Sequence, residues 1–389
     1  MKFLIQIPQL IYAGAEKVLV NFANDLVARG HEVEILESYD RGYLKPQFDS
    51  RVKFHCICSK EYTAKYYASL DEIRRPQNLA QRLMKCGKLL FSKIVGYRRF
   101  AEQLAKKYYA DKKYDVAINY LEIESPIFLL NSIHAKRYLQ WYHIDVANLE
   151  NPENTDAMIP VYEKMDAIIC VAESARQSFV NRYPQLADKT HVIYNFYDVN
   201  TILEKSKEPF KYPSSRPGVP ILLSVGRMTE QKKYLRFLNV LNRLNKEGVA
   251  FQWYILGVGE QREQIETRVK ELNLENCVFL EGLTDNPYKY MKHCDLFVLP
   301  SGWEGFPTVM VEAKILNCAV LATDVSGIRE QLEHGKTGWI VENDEEAIYH
   351  GLKAVLSDKD LLNQLKSNEG IDKIVDNEIK YAQLEKLCR

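Results

Sequence analysis

The segment Ser301-Gly-Trp-Glu304-Gly-Phe-Pro-Thr-Val-Met-Val-Glu312 places two carboxylates, Glu304 and Glu312, eight positions apart. It follows an apolar run, Leu296–Leu299, that is typical of a buried strand, so the order is strand, turn and helix start. Pro307 suits the first helical position, where its missing N–H would have no partner anyway. N–H groups at a helix start attract phosphate, and a carboxylate on either side can hold sugar hydroxyls. The segment therefore predicts a site for a phosphate flanked by two sugars, which is a nucleotide sugar.

Composition favours a soluble two-domain protein. The chain has 389 residues, 46% of them hydrophobic and 27% charged, with a formal net charge of zero. No apolar run approaches the roughly 18–20 residues that span a bilayer, and the short N-terminal apolar stretch lacks a cleavage site. The eight cysteines contain no C-x-x-C pair, and several lie in apolar runs where a thiol usually fills core space. We therefore expect a reduced, cytoplasmic protein.

Apolar runs of strand character alternate with helical patterns, which predicts parallel sheets and an α/β fold. The predicted strands are 3–7, 32–36, 52–57, 115–119, 137–141, 167–171 and 191–195 in the first half, and 221–225, 252–256, 278–280, 296–299 and 319–322 in the second. The predicted helices include 14–29, 232–246, 260–272, 307–316 and 344–356.

The segment 205–220, rich in Lys, Pro and Ser, is the best linker candidate. We therefore predict an N-terminal domain over 1–200, a C-terminal domain over 201–367, and a terminal helix over 368–389 that packs back on the N-terminal domain. Two doubly wound domains facing a cleft bind ligands beyond the carboxyl ends of their strands.

A second motif, Ser224-Val-Gly-Arg227-Met-Thr-Glu-Gln-Lys232-Lys233, follows another predicted strand. Arg227 offers a planar fork to a diphosphate, and Lys232 offers a point charge. Taken alone, the loop is equally typical of a solvated basic turn before a helix. Its place in the same half of the chain as Glu304 and Glu312 favours the diphosphate site.

Arg227, Lys232 and the Glu-x7-Glu element resemble the signature of the retaining glycosyltransferases of family 4, also called glycosyl transferases group 1. The resemblance implies the GT-B fold, in which two Rossmann-like domains face a central cleft. It also implies that the N-terminal domain binds the acceptor and the C-terminal domain binds the nucleotide sugar. Lys233 stands where the family commonly has Gly, which is expected to alter the helix start but not the charge.

The same resemblance implies a role for each residue of the two motifs. Arg227 and Lys232 would bind the donor diphosphate, Glu304 the donor sugar hydroxyls, and Glu312 the ribose. The backbone of Gly305, Phe306 and Thr308 would approach the sugar and the phosphates. The apolar neighbours of Glu312 also make an unpaired exposed carboxylate there improbable, since a buried carboxylate needs partners.

Two segments of the first half of the chain are expected to form the opposite wall of the cleft. The loop 11–17 resembles the family's Gly-Gly-Ala-Glu loop with Ala13 in place of one Gly, which places Gly14 beside the donor phosphates; a plain strand–helix turn is the alternative. His143 ends a predicted strand and matches a family His that touches the donor sugar near the reacting centre. Asp145 would orient its ring. A lone His is otherwise more often a structural residue.

Two further motifs resemble known binding motifs only weakly. Gly257-Val-Gly259 lacks the third Gly of a dinucleotide loop, which disfavours a dinucleotide-dependent oxidoreductase. The resemblance places the nucleotide base near Gly257 and Leu283. We reject Asp358-Lys-Asp360 as a metal site, since Asp is a common helix cap. With two cations and helix amides for the diphosphate, no metal or other cofactor is expected.

The stretch 74–100 is strongly basic and mixes its cations with apolar residues. From Arg74 to Lys113 there are twelve basic residues against two acidic ones, Glu102 and Asp111. Such a segment can lie on an anionic membrane. The alternative is a helix with a solvated basic face, and no recognisable nucleic-acid-binding module accompanies it. We predict peripheral contact with the inner face of the plasma membrane and no nucleic-acid partner.

The sequence thus predicts a retaining glycosyltransferase. It would move a hexose or N-acetylhexosamine from a nucleotide diphosphate sugar, with UDP favoured by family frequency, to a hydroxyl of a glycan or lipid-linked acceptor. Bacterial cell-surface polysaccharide synthesis, of lipopolysaccharide or capsule, is the expected setting. The alternative is a catalytically inactive nucleotide-sugar-binding or scaffolding subunit.

Overall fold

The computed structural model describes residues 1–11, 13–59, 68, 70–74, 78–149 and 152–389. Tyr12 of the glycine-containing loop and residues 75–77 of the basic stretch lie outside the described residues. Within these ranges no helix has both the length and the apolar character needed to cross a membrane.

The first half of the chain forms a parallel sheet of seven strands in the described residues, in the order β3-β2-β1-β4-β5-β6-β7. The strands are β1 Lys2–Ile7, β2 Glu32–Tyr39, β3 Lys53–Cys58, β4 Lys113–Asn119, β5 His134–Tyr142, β6 Ala167–Cys170 and β7 Thr190–Val192. The helices are α1 Gly14–Ala28, α2 Leu70–Arg74, α3 Leu79–Val95, α4 Tyr97–Tyr109, α5 Ile127–Ser132, α6 Pro152–Tyr162, α7 Glu173–Arg182 and α8 Val199–Ser206.

The second half forms a parallel sheet of six strands in the order β10-β9-β8-β11-β12-β13. The strands are β8 Ile221–Val225, β9 Gln252–Leu256, β10 Val278–Gly282, β11 Leu296–Leu299, β12 Val320–Thr323 and β13 Trp339–Val341. The helices are α9 Tyr234–Lys246, α10 Arg262–Glu271, α11 Tyr288–His293, α12 Thr308–Ile315, α13 Ile328–Gln331, α14 Glu345–Ser357, α15 Lys359–Gln364, α16 Asp372–Val375 and α17 Asn377–Cys388.

In both sheets the strand order reverses once, at an equivalent place. In the first sheet the order reverses between β1 and β4, and in the second between β8 and β11. At such a reversal the connections leave on opposite sides, and a crevice opens beyond the carboxyl ends of the strands. Helices α1 and α12 begin at these two crevices, after β1 and β11 respectively. The topology therefore places the sequence motifs at the two switch points.

The prediction of an α/β fold with two doubly wound parallel sheets is confirmed. Strand β13, Trp339–Val341, was not predicted, because three residues are too few to show a periodic pattern. The expectation that Pro307 occupies the first helical position is wrong by one residue. Pro307 has an extended ψ of 105° and stands before the helix, which begins at Thr308.

The C-terminal helix α17 lies against elements of the first half of the chain. Glu378 accepts a hydrogen bond of 2.6 Å from Arg29, and the Tyr381 hydroxyl lies 2.6 Å from His31. Lys380 is fully buried and donates to the Asn195 carbonyl at 2.7 Å. Burial lowers the pKa of Lys380 to about 7. These contacts tie the end of the chain to the N-terminal sheet rather than to the sheet that precedes it in sequence.

Candidate active site

Two helix starts face each other across the cleft. Gly14 is the first residue of α1 and Thr308 the first of α12, and a Cβ built on Gly14 would lie 3.3 Å from the Thr308 Oγ1. The positive ends of two helix dipoles therefore converge on one place, which favours an anion there. The absence of a side chain at Gly14 lets the two helix starts approach this closely.

Glu304, in the turn before α12, accepts hydrogen bonds from three side chains. It is buried and accepts from the Lys232 Nζ at 2.7 Å, the Ser301 Oγ at 2.7 Å and the Gln231 Nε2 at 3.1 Å. A carboxylate out of contact with water needs such partners, and Lys232 neutralises its charge. The structure thus joins Lys232 of one predicted motif to Glu304 of the other.

Arg227 is the second cation of this region and is exposed. Its guanidinium makes no hydrogen bond or ion pair with any residue that the structure describes. Its charge acts on the carboxyl of Glu16, in the first turn of α1: burial raises the pKa of Glu16, and Arg227 partly opposes that rise. Arg227 is therefore an uncommitted cation facing the opposite wall of the cleft.

Lys233 replaces the Gly expected from the family resemblance, and its backbone shows why Gly is suited to this position. Its φ of 51° is left-handed, immediately before α9 begins at Tyr234. A side chain in this conformation costs roughly 1–2 kcal/mol. The Lys233 ammonium pairs with Glu230 and lies 5.5 Å from the centre of the Trp303 ring.

Glu312 is buried, as its apolar neighbours predict, but its partners in the structure are protein groups. It accepts from the Lys17 Nζ at 2.6 Å and lies 3.3 Å from the Tyr288 hydroxyl. Burial alone would lower the pKa of Lys17, but the charge of Glu312 outweighs it and raises that pKa. Sequence reasoning missed Lys17 and Tyr288, although Lys17 lies inside the quoted loop 11–17. A ribose bound to Glu312 would have to share it with Lys17.

His143 stands at the carboxyl end of β5 as a neutral imidazole. Burial lowers the pKa of His143 to about 3, and a hydrogen bond with the Tyr120 backbone only partly opposes this. The Nε2 atom is buried and has no hydrogen-bond partner in the described part of the chain. The expectation that Asp145 orients the ring is wrong, because its side chain accepts from the Ala147 N–H at 2.9 Å. His143 thus presents an unpaired nitrogen for a ligand.

The turn at Gly305 packs directly on His143. A Cβ built on Gly305 would lie 2.1 Å from the His143 carbonyl oxygen, so only Gly fits. Phe306 is buried, and its ring lies 5.3 Å from that of Tyr194 in the first half of the chain. Its ring is therefore committed to this contact with the first half of the chain. This contact seats the turn that carries Glu304 against the opposite wall.

Glu330 makes a further link between the two halves. Its carboxylate accepts from the backbone N–H groups of Glu173 and Ser174, at 2.8 and 2.9 Å, and so caps the start of α7. The Tyr194 hydroxyl donates to the same carboxylate at 2.9 Å. Together with the Lys17–Glu312 pair, this contact holds the two walls of the cleft together.

The glycines at 257 and 259 are explained by packing between loops. A Cβ on Gly257 would lie 2.1 Å from the Gly226 carbonyl oxygen, and one on Gly259 would lie 2.3 Å from that of Met228. Their role is to let this loop contact the loop that carries Arg227. Leu283 is 64% exposed just after β10 and offers open apolar surface. Asp358, rejected as a metal ligand, caps α15 by accepting from two backbone N–H groups.

Glu122 is a carboxylate at the cleft that sequence reasoning did not single out. It follows β4 by three residues, and its Oε2 accepts from the His143 backbone N–H at 3.0 Å. Burial raises the pKa of Glu122. A signal was present in the sequence, since Glu122 follows the predicted strand 115–119 at its carboxyl end, but no motif marked it.

Known proteins resemble this chain in sequence over part of its length and in fold over nearly all of it. A 4-alpha-N-acetylgalactosaminyltransferase of Campylobacter jejuni, named as acting on N-acetylgalactosamine-N,N'-diacetylbacillosaminyl-diphospho-undecaprenol, is 32% identical over 209 residues, 53% of this chain and 55% of the relative. The chain spans about half the length of that relative and less than half of the next curated ones. TarM of S. aureus superposes with a TM-score of 0.76 at 15% identity, covering 100% of this chain and 99% of that one. HepE of Anabaena, in complex with UDP-glucose, superposes with a TM-score of 0.73 at 16% identity, covering 99% and 98%.

Two family models match the chain in succession. The model of Glycosyltransferase Family 4 matches residues 12–201, and that of Glycosyl transferases group 1 matches residues 206–372. The boundary between them falls at the end of α8, between the two sheets. With the two-sheet fold and the cleft between them, these matches show that the chain belongs to the group 1, family 4 glycosyltransferases of the GT-B fold.

Proposed function

We propose that the protein transfers a hexose or N-acetylhexosamine from a UDP-sugar to a hydroxyl of a glycan or lipid-linked acceptor, with retention at the anomeric carbon. The observation that carries this proposal is the Lys232–Glu304 pair, 2.7 Å apart, at the start of α12 and opposite Gly14 and His143. A cation, a helix start and a sugar-binding carboxylate are thereby within one small space.

The chemistry follows from the charges. As the bond between the anomeric carbon and the diphosphate oxygen breaks, negative charge grows on the diphosphate, and Arg227, Lys232 and the amides near Thr308 stabilise it. The acceptor oxygen bonds to the anomeric carbon on the same face, and its proton passes to the leaving diphosphate. Neutral His143 offers Nε2 to a sugar hydroxyl, and Glu304 holds other hydroxyls of the donor sugar.

The donor and acceptor classes draw support from relatives. HepE binds UDP-glucose, and the Campylobacter relative is named for a diphospho-undecaprenol substrate. A UDP donor and a lipid-linked or glycan acceptor of bacterial surface polysaccharide synthesis are therefore the first choices. An inactive donor-binding subunit is the alternative, since it would have the same fold.

The direct test is incubation with radiolabelled UDP-sugars and a membrane extract. We expect one donor to label the lipid or glycan fraction, and an α-linked sugar in the product from an α-linked donor. UDP should raise the unfolding midpoint, because a ligand that binds only the native state stabilises it, and NAD should not. Binding of UDP without transfer or hydrolysis of any donor would favour the inactive subunit.

We also propose that α3 docks on an anionic membrane. Leu79, Leu83, Leu90 and Ile94 repeat at helical spacing along one stripe, and each is at least 60% exposed. Arg82 and Lys93 flank the stripe. Apolar side chains in the headgroup region and cations at about 1 kcal/mol each give such a helix its membrane affinity. A peripheral position would bring a lipid-linked acceptor to the cleft.

Replacing Leu83 and Ile94 by Gln should abolish binding to vesicles that contain phosphatidylglycerol. The measurement is co-sedimentation, with Leu203→Gln as control because that leucine is exposed on α8. Cys86, the one exposed cysteine of the eight, all of which are described, can carry an environment-sensitive fluorophore. Equal binding of the double variant and the control, or no change in fluorescence with vesicles, would contradict the proposal.

A further inference from the structure

One carboxylate of the cleft has no part in the donor chemistry described above. Glu122 lies beyond the carboxyl end of β4, next to β5, which His143 directly follows. Its Oε2 accepts the His143 backbone N–H at 3.0 Å, which fixes the position of the carboxyl group. His143 in turn contacts Gly305 of the donor-binding turn, so Glu122 is one residue removed from the place where the two walls meet.

The second oxygen of Glu122 accepts no hydrogen bond from any other residue in the described part of the chain. Glu122 is partly exposed, and this oxygen is not among the fully buried polar atoms that lack a partner. It is therefore open to a ligand in the cleft. A carboxylate oxygen in a poorly solvated place gains most from a hydroxyl or another donor group.

The surrounding charges restrict what this place can bind. Glu16, in the first turn of α1, is near enough that its charge and that of Glu122 repel, whereas the charge of Arg227 attracts that of Glu16. Two carboxylates on one wall disfavour a phosphate or a uronic acid there, whereas neutral hydroxyls donate to them. The donor diphosphate has its own place between Arg227, Lys232 and the two helix starts.

We infer that Glu122 binds the acceptor, accepting a hydrogen bond through its free oxygen from a hydroxyl of a neutral acceptor sugar. The inference rests on the proposed function and adds the residue that recognises the acceptor and the class of sugar that it takes. The phosphate groups of a lipid-linked acceptor would then lie away from this wall, on the side of the basic α3. A purely structural Glu122 would only hold the His143 backbone.

Glu122→Gln separates these two roles, because the Gln carbonyl oxygen can still accept the His143 N–H while the negative charge is lost. With a radiolabelled UDP-sugar that the wild type uses, we expect the amount of membrane extract needed for half-maximal transfer to rise at least ten-fold. The KM for the UDP-sugar, its hydrolysis without extract, and the stabilisation by UDP should each change less than two-fold.

Asp166→Asn is the matched control. Asp166 also accepts a backbone N–H of β5, from Tyr138 at 2.7 Å, but it lies before β6 and away from the cleft. We expect no change in acceptor dependence for this variant. An unchanged acceptor requirement in Glu122→Gln, or a parallel loss of UDP binding and donor hydrolysis, would overturn the inference. No transfer by the wild type would instead refute the proposed function.

Discussion

Replacing Lys232 by Ala should lower the turnover number by about a hundred-fold to a thousand-fold, the usual loss when one group that stabilises transition-state charge is removed. Lys232 is the cation of the loop after β8 that the structure places on Glu304, at 2.7 Å. Arg227→Ala should have an effect of the same order, because Arg227 is exposed at the cleft and paired with nothing that the structure describes. The measurement is initial rate of transfer at saturating donor.

Stability distinguishes the two variants. Lys232→Ala leaves the buried carboxylate of Glu304 without its cation, and breaking a buried pair in this way costs about 3 kcal/mol. Arg227→Ala should leave the unfolding midpoint unchanged. The double variant Lys232→Met with Glu304→Gln should recover stability without recovering activity. Wild-type turnover in Arg227→Ala or in a folded Lys232 variant would refute the diphosphate assignment.

Replacing Gly305 by Ala should reduce transfer by at least a hundred-fold while UDP binding persists. The added methyl would lie 2.1 Å from the His143 carbonyl oxygen, which belongs to the opposite wall. The backbone on both sides must then move apart, and a displacement of about 1 Å at a reacting centre costs on the order of a hundred-fold in rate. Steady-state kinetics and UDP titration of the same preparation measure the two effects.

Two further Gly→Ala variants serve as controls for Gly305→Ala. Gly14→Ala meets only the Thr308 Oγ1, at 3.3 Å, so a smaller loss of activity is expected. Gly218→Ala has nothing within 4 Å but a φ of +76°, so it should cost stability without affecting transfer. Equal activity of Gly305→Ala and Gly218→Ala would show that contact between the Gly305 turn and His143 is not needed for the reaction.

Local sequence patterns were enough to predict most of the fold. Apolar runs such as Ile221–Val225 and Leu296–Leu299 became strands with the predicted bounds, since a strand buried on both faces leaves a continuous local pattern. The motif with Arg227 and Lys232 and the motif with Glu304 and Glu312 could also be recognised, because each lies in one short segment next to a strand end. Segments of three residues, such as β13, and the exact start of α12 left no such local pattern.

Contacts between side chains from distant segments depend on how the chain packs, and no local pattern predicts them. Lys17 and Glu312 are 295 positions apart, and nothing in either segment names the other as its partner. The same holds for Glu122, which accepts the His143 backbone N–H from the neighbouring strand end, and for Gly305 against the His143 carbonyl. Periodicity is a property of a few consecutive residues, whereas these contacts arise when strands pair within one sheet or when the two sheets pack against each other. Glu304, Glu312 and Lys232 were therefore predicted from sequence, but the pairing of Lys232 with Glu304 and of Lys17 with Glu312 is visible only in the folded chain.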